Sequence, residues 1–264
     1  MNFEEIDRRL STMLVKEEIY EYEIVGNQRV LGANNEYLQQ TKEYGSKDGL
    51  LAIILFSIEI LGLFFVGKLF MQKGDGLTET YIVTVTGIFS IILIGLVFLF
   101  CIIRRQKLNT IGFSKIQAKK SFILGIILFG VVIILWSIFA ILSGSNIQKD
   151  TNLIIIRIVY YLIFIAFMEE LIFRAYIGTR LYGFFMNKKL SIVIVGIMFS
   201  FSHIPFQMII SQVSLITYIS DNFFSLIFLA ILHMLFQWLY AKYNSIIAPT
   251  MIHFIWDYMQ WFIV

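Results

Sequence analysis

Six ionisable residues lie in three short clusters inside otherwise apolar stretches of the sequence. An ionisable group inside a membrane-spanning helix costs roughly 2.5–3.5 kcal/mol on insertion, so such groups usually serve a site or a pathway. Carboxylates and imidazoles are also the side chains from which general acid–base sites are built. The clusters are Glu169, Glu170 and Arg174; His203; and His253 and Asp257.

The spacing within two of the clusters predicts side-chain pairs on one helix face. Glu170 and Arg174 are four residues apart, so the guanidinium can neutralise that carboxylate. Glu169 lies about 100° around the helix and keeps a carboxylate that is free to titrate. His253 and Asp257 have the same spacing, so the carboxylate can orient the imidazole or stabilise its charge. The alternative interpretation is that these groups only line a polar seam between helices.

Peptide hydrolysis is one reaction that these side chains could catalyse. It needs an activated water, a proton donor for the leaving amine and a stabiliser for the oxyanion. Glu169 as base and His203 as proton shuttle can supply the first two. His253, held by Asp257, can bind the developing oxyanion.

Zinc-dependent hydrolysis is the alternative chemistry for the same groups. Glu169, His203 and His253 could hold the ion and leave the fourth coordination position for water. The sequence contains no H-E-x-x-H motif, so such a site would have to be assembled across helices. A metal-free glutamate mechanism is therefore preferred, and no cofactor is expected.

Two further polar residues in apolar stretches have simpler interpretations. A lone membrane histidine is more often a packing residue than a catalyst, so His233, with Gln237 one turn later, is assigned to packing. Glu59 is isolated, and a snorkelling or helix-packing role explains it as well as chemistry does.

The composition places these clusters in a membrane protein. Of the 264 residues, 58% are hydrophobic and 15% are charged, whereas soluble proteins are about a quarter charged and under half apolar. A single cysteine, Cys101, excludes an intrachain disulfide and a cysteine-based metal site. No Gly-rich phosphate loop, basic–aromatic stripe or internal repeat occurs, so nucleic acid is not expected as a partner.

Seven apolar stretches are long enough to form spanning helices, which need roughly 20 residues each. They predict an all-α, polytopic membrane bundle of about seven transmembrane helices, with no signal peptide before it. The half-polar stretch 211–222 is assigned to a loop or an interfacial turn. The predicted helices are 50–71, 81–103, 121–142, 153–182, 190–210, 223–240 and 245–264.

Loop charges predict the orientation of this bundle in the cell membrane, because connections rich in Lys and Arg usually face the cytoplasm. The connection 104–120 contains six basic residues and no acid. Basic residues also lie near 180–189 and at Lys242, whereas the alternate connections carry mixed charge or Asp221 alone. The N-terminus is therefore predicted to be cytoplasmic and the C-terminus to lie outside.

Depth in the membrane is an independent reason to group the clusters. At about 1.5 Å per residue, Glu169, His203 and His253 lie roughly 16, 21 and 13 Å from the cytoplasmic ends of their helices. Three groups on three helices thus fall within about 8 Å of one depth. This agreement favours one convergent site over scattered polar residues.

The order E-E-x-x-x-R, F-x-x-x-H and H-x-x-x-D along the chain resembles the CPBP family of intramembrane proteases. That family includes the type II CAAX prenyl endopeptidases and bacterial bacteriocin-processing and abortive-infection proteins. The matching residues are Glu169, Glu170 and Arg174; Phe199 and His203; and His253 and Asp257.

The resemblance implies a membrane-embedded endopeptidase that cuts a peptide or membrane-protein substrate near the cytoplasmic leaflet. It implies that Glu169, paired with His203, activates water and that His253 and Asp257 form the oxyanion side. Relatives often have Asn at the last position, so Asp257 is expected to orient or charge His253 instead of donating a hydrogen bond. The residues expected to support the site are Glu170, Arg174 and Phe199.

The chain is predicted to have three parts. Residues 1–49 form an acidic cytoplasmic segment, because the first 48 residues contain ten acidic and six basic side chains. Residues 50–143 form three transmembrane helices, and residues 150–264 form the protease core. The first 120 residues fall outside the resemblance and are a candidate for partner choice.

Two other function classes fit the same buried polar groups. A non-catalytic immunity or scaffold protein could keep the fold and bind a peptide in the membrane. A proton-coupled transporter would also use buried Glu, His and Arg, although no pair of Gly- or Pro-broken helices suggests inverted repeats.

Overall fold

The computed structural model describes residues 34–185 and 188–263, without the side chains of Lys188 and Lys189. Those ranges contain nine helices and no strand, which confirms the all-α prediction. Most of the predicted acidic segment, residues 1–33, lies outside them. The helices are α1 (Asn35–Lys42), α2 (Ser46–Lys73), α3 (Glu79–Ile103), α4 (Ala118–Ser143), α5 (Thr151–Phe185), α6 (Lys188–Ser211), α7 (Leu215–Asp221), α8 (Phe223–Tyr243) and α9 (Ile247–Phe262).

Six of the described helices, α2 to α6 and α8, are long and apolar enough to cross a membrane. The protein is therefore a multi-pass membrane protein. The predicted seventh span, α9, has 16 residues. It rises only about 24 Å, short of a hydrocarbon core of roughly 30 Å. The predicted count of seven is thus corrected to six full-length helices plus one short helix, which packs along α4 and α5.

The stretch 211–222, predicted as a loop or turn, contains the short helix α7. Ser214 begins this helix by accepting a hydrogen bond from the backbone N–H of Thr217 at 3.1 Å. Asp150 caps α5 in the same way, through the N–H of Asn152 at 3.0 Å. Such caps satisfy backbone donors that the first helical turn leaves free, so polar residues end the apolar segments cleanly.

Helix α5 departs from regular α-helical geometry around the two predicted acids. Its segments Tyr160–Phe167 and Glu170–Ile177 are π-helical, and only Met168 and Glu169 between them are α-helical. A π-helical segment is rare and is found mostly at functional sites. Periodicity alone predicted a single regular helix here, because the apolar pattern does not distinguish the two geometries.

The connections between helices lie at two opposite ends of the bundle. Ile246 donates to the carbonyl of Gly112 at 3.3 Å, so connections 104–117 and 244–246 share one end, which we call the basic end. Gln148 donates to the carbonyl of Phe262 at 2.9 Å, which places connection 144–150 beside the end of α9. This second end, with connections 74–78 and 212–222, is called the far end.

Helix α1 packs against the basic end of the bundle. The N–H of Asn34 donates to the carbonyl of Ala241 at 2.8 Å, and the Asn244 amide donates to Gln40 at 3.2 Å. The Tyr37 ring meets Tyr240 edge-on at 6.0 Å. The described part of the N-terminal segment is therefore attached to helix α8, and it covers the end of the bundle at which α8 finishes.

Gly183→Ala is expected to destabilise this attachment by about 1–3 kcal/mol, the usual cost of overpacking. A Cβ on Gly183 would lie 2.5 Å from both the carbonyl oxygen of Thr41 and the Cβ of Tyr44. Gly95→Ala is the matched control, because a Cβ there meets nothing within 4 Å. Thermal unfolding in detergent compares the two variants, and equal melting temperatures would contradict the packing argument.

Candidate active site

Glu170 lies at the centre of a buried ion-pair chain that joins α5 to α9. Its Oε1 is 2.7 Å from His253 Nδ1, and its Oε2 is 3.0 Å from Arg174 Nε. The predicted Glu170–Arg174 contact is thus present, as an ion pair without hydrogen-bond alignment. The side chains of both residues are fully buried. Glu170 therefore orients His253, one of the candidate catalytic residues. The sequence did not predict this contact.

Two aromatic rings enclose the guanidinium of Arg174. Its Cζ lies 4.2 Å from the centroid of Phe199 and 5.3 Å from that of Phe236. Phe199 also meets the rings of His203 at 4.8 Å and His253 at 6.3 Å. A cation held against ring faces is stabilised in a dry environment. The F-x-x-x-H motif therefore supplies two parts of the site. One is His203, and the other is the Phe199 ring, which packs against Arg174, His203 and His253.

Glu169 turns away from the ion-pair chain and faces a cavity. Its side chain keeps 17% of its exposure, and its Oε2 lies 3.7 Å from His253 Nε2. That oxygen has no hydrogen-bond partner in the described structure. Glu169 thus keeps an acceptor free, as the spacing argument predicted.

The predicted contact between Glu169 and His203 is absent from the described residues. His203 Nδ1 donates instead to the carbonyl of Phe199, one turn earlier in α6, at 2.9 Å. The imidazole therefore presents Nε2 as its free acceptor when the ring is neutral. Glu169 and His203 share a cavity rather than a hydrogen bond.

His253 is surrounded by three carboxylates. Its Nε2 lies 3.2 Å from Asp257 Oδ2, as the four-residue spacing predicted, and its Nδ1 is held by Glu170. Glu169 is the third acid, at 3.7 Å. A ring flanked by carboxylates at both nitrogens is favoured in its protonated form, since both N–H groups then have acceptors. The orienting role predicted for Asp257 is shared with Glu170.

A cavity of about 570 Å³ collects the groups that the sequence singled out. Glu169, His203, His253 and Asp257 all line it, on helices α5, α6 and α9. The rest of the cavity wall is mainly aromatic and aliphatic. Its aromatic residues include Tyr160, Tyr161, Trp256 and Trp261, and two amide side chains, Gln207 and Gln260, also line it.

Residues 151–259 match the family model of the type II CAAX prenyl endopeptidase Rce1-like domain. This match over residues 151–259 supports membership in the CPBP family. The matched segment comprises α5 to α9 and contains every residue of the three motifs, whereas α1 to α4 lie outside it. No curated protein and no solved structure matches the chain at a significant level. At the level of this CPBP family, the activity is that of an intramembrane endopeptidase acting on peptide substrates in a lipid bilayer.

The sequence left open a zinc site formed by Glu169, His203 and His253. In the structure, His253 Nδ1 is held by Glu170, and its Nε2 faces Asp257 and Glu169. Among the described residues, no group of three or more His, Cys, Asp or Glu side chains is arranged to hold a metal ion. No catalytic step is therefore derived through zinc.

Glu59 and His233 lie closer to this site than the sequence suggested. Glu59 on α2 is only 2% exposed, so it does not snorkel, and it interacts electrostatically with Glu169 and Arg174. His233 on α8 is fully buried, with its ring 5.2 Å from that of Phe199 on α6. The charge of Glu59 in an apolar helix was the sequence feature that could have indicated a place near the site. Helical spacing, however, could not show which neighbouring helix this residue faces.

Asp257→Asn is expected to lower the cleavage rate by about tenfold or less. The amide oxygen can still accept from His253, and Glu170 still holds the other nitrogen. A hydrogen bond to a neutral group is about 1–1.5 kcal/mol weaker than one to a charged group, and each 1.4 kcal/mol is a factor of ten in rate. Cleavage kinetics in membranes measure this effect. Asp257→Leu, which offers no acceptor, should cost more; equal losses would contradict a hydrogen-bonding role.

Proposed function

We propose that this protein is an intramembrane endopeptidase in which Glu169 activates the attacking water. The observation that carries the proposal is the convergence of Glu169, His203 and His253 on one cavity. The contacts also distinguish Glu169 from its neighbours. Glu170 is paired with Arg174 and His253, and Asp257 lies 3.2 Å from His253 Nε2, whereas Glu169 lies 3.7 Å from the same nitrogen.

In the proposed reaction, a water held at the partly exposed carboxylate of Glu169 attacks the carbonyl carbon of the scissile peptide bond. Glu169 takes the water proton as the new C–O bond forms, which is general-base catalysis. The carbonyl oxygen becomes an oxyanion, and the protonated ring of His253 faces it from the same cavity wall. The preorganised charge stabilises the intermediate without reorganising solvent.

Breakdown of the intermediate needs a proton on the leaving nitrogen. Glu169 returns the proton that it took, either directly or through His203, whose Nε2 is the free acceptor of that ring. The C–N bond then breaks to give a carboxylic acid and an amine, and transfer of the acid proton to the amine yields a carboxylate and an ammonium group. The charge of the site is restored, so no co-reactant other than water is consumed.

The size of the cavity restricts the form of the substrate. One turn of α-helix, about 10 Å wide and 5.4 Å long, fills roughly 420 Å³. A cavity of about 570 Å³ therefore holds little more than one turn. The scissile segment is expected to enter in an extended form, after local unwinding of any helix that contains it.

Terminal proteomics of membrane fractions tests this function. Cells that contain the wild-type protein should show new peptide termini that are absent with Glu169→Gln. The matched control is Glu43→Gln, an exposed carboxylate in the turn after α1 that lies outside the site. Identical termini in wild type and Glu169→Gln would reject the protease and favour a scaffold.

A chelator added to the cleavage assay tests the metal-free mechanism. Cleavage that survives the chelator supports this mechanism, and loss of cleavage would reject it.

A further inference from the structure

The cavity is displaced toward the far end of the bundle. On α2 it is lined by Leu63 and Val66, and on α3 by Thr86 and Phe89. All four residues lie in the halves of their helices that end at connection 74–78. On α6 and α9 the lining likewise runs toward Gln207 and Gln260, near the far ends of those helices. Both of these amide side chains are exposed.

Packed structure closes the path from the cavity to the basic end. Fourteen consecutive residues of α5, from Glu170 to Gly183, are all buried. They occupy the part of α5 between Glu169 and the basic end. Helix α1 covers this part from outside, since Gly183 lies against the backbone of Thr41. Within the described residues, this packed structure separates the cavity from the basic end.

The two ends of the bundle carry different charges, and such a difference determines the orientation of membrane proteins. The connection 104–120 at the basic end contains six Lys or Arg residues and no acid. At the far end, Lys73 is accompanied by Asp75 and Glu79, and connection 211–222 carries only Asp221. Segments enriched in Lys and Arg remain in the cytoplasm. The loop charges therefore predict that the far end is extracytoplasmic.

From these observations we propose that substrates reach the active site from the extracytoplasmic side. The inference rests on the proposed protease function and replaces the sequence-based expectation of cleavage near the cytoplasmic leaflet. The substrate class that it predicts is an exported peptide, or a membrane-protein segment near the outer surface. Substrates confined to the cytoplasm would meet the closed end of the bundle.

The lining of the cavity also indicates which residues such a substrate presents. Among the described residues, no Lys or Arg lines the cavity, whereas Glu169 and Asp257 contribute acidic groups to it. Trp256 and Trp261 provide aromatic faces near the mouth, where Gln207 and Gln260 can bond to an extended backbone. Apolar, aromatic or basic residues around the scissile bond are therefore favoured over acidic ones.

Thiol labelling of intact cells tests the direction of access. Cys101 is the only cysteine and is 2% exposed, so single cysteines can be introduced with Cys101 kept or replaced by Ser. Asp75→Cys reports the far end, Gln260→Cys reports the mouth of the cavity, and Ile116→Cys reports the basic end. A membrane-impermeant maleimide should label the first two in intact cells, and Ile116→Cys only after permeabilisation.

Two results of this labelling would overturn the proposal. Labelling of Asp75→Cys only after permeabilisation would show that the far end is cytoplasmic. Labelling of Asp75→Cys without labelling of Gln260→Cys would show that the cavity does not open there. In a positive result, a bulky maleimide on Gln260→Cys also lowers cleavage by at least tenfold relative to the same unlabelled variant. Glu169-dependent cleavage in detergent is independent of orientation, so it tests the protease function separately.

Discussion

Replacing Arg174 with Met is expected to destabilise the protein by about 3–5 kcal/mol, the usual cost of removing one partner from a buried ion pair. Arg174 and Glu170 are fully buried, and their side chains lie 3.0 Å apart. Met fills much of the same volume between the rings of Phe199 and Phe236 but supplies no charge. Glu170 would then keep only His253 as a partner. Thermal or denaturant unfolding in detergent measures the loss.

A double replacement separates lost charge from lost packing in the Arg174 experiment. Arg174→Met combined with Glu170→Gln removes both charges, so it should be less destabilised than Arg174→Met alone. Replacing a whole buried pair by neutral groups is often nearly neutral. Arg105→Met, at an exposed position in the basic end, controls for loss of a positive charge. Equal stability of Arg174→Met and Arg105→Met would show that the buried pair does not stabilise the fold.

Replacing Glu169 with Gln is expected to lower the cleavage rate by about 10²- to 10⁴-fold, the typical contribution of general acid–base catalysis. The amide has nearly the same shape as the carboxylate, and Glu169 is partly exposed to the cavity, so little folding energy should be lost. Single-turnover kinetics on a substrate found by terminal proteomics measure the rate. Unfolding in detergent should give a melting temperature within a few degrees of wild type.

Comparison with the adjacent carboxylate makes the Glu169 result specific. Glu170→Gln should lower both stability and rate, because this residue holds Arg174 and His253 in place. Glu169→Gln should lower the rate alone. Loss of stability in both variants would assign Glu169 to the structure, and full activity of Glu169→Gln would remove it from the mechanism.

Local pairs in the site were predictable because helical geometry determines them. Glu170 with Arg174, and His253 with Asp257, are four residues apart, so one helix brings each pair together whatever surrounds it. The π-helical geometry of α5 did not prevent the first contact. Membrane location was equally predictable, since the length and apolar character of each span are properties of a continuous segment.

Contacts between helices depended on the tertiary structure. Glu170 and His253 are separated by 83 positions, and no local period relates α5 to α9. For the same reason Glu169 was expected to contact His203 but lies nearer His253, and Glu59 was left outside the site. Phe199 was recognised only through its family motif; its position against Arg174 required the packing of α6 on α5.

The sequence by itself determined the membrane location, the all-α class and the candidate site residues, because each follows from local composition and spacing. The tertiary structure decided which of those residues contact one another, through the Arg174–Glu170–His253 chain and the Glu169 oxygen that has no hydrogen-bond partner. It also decided that the cavity lies toward the far end of the bundle. That position depends on which ends of several helices pack tightly, and packing between distant segments leaves no periodic signal in the sequence.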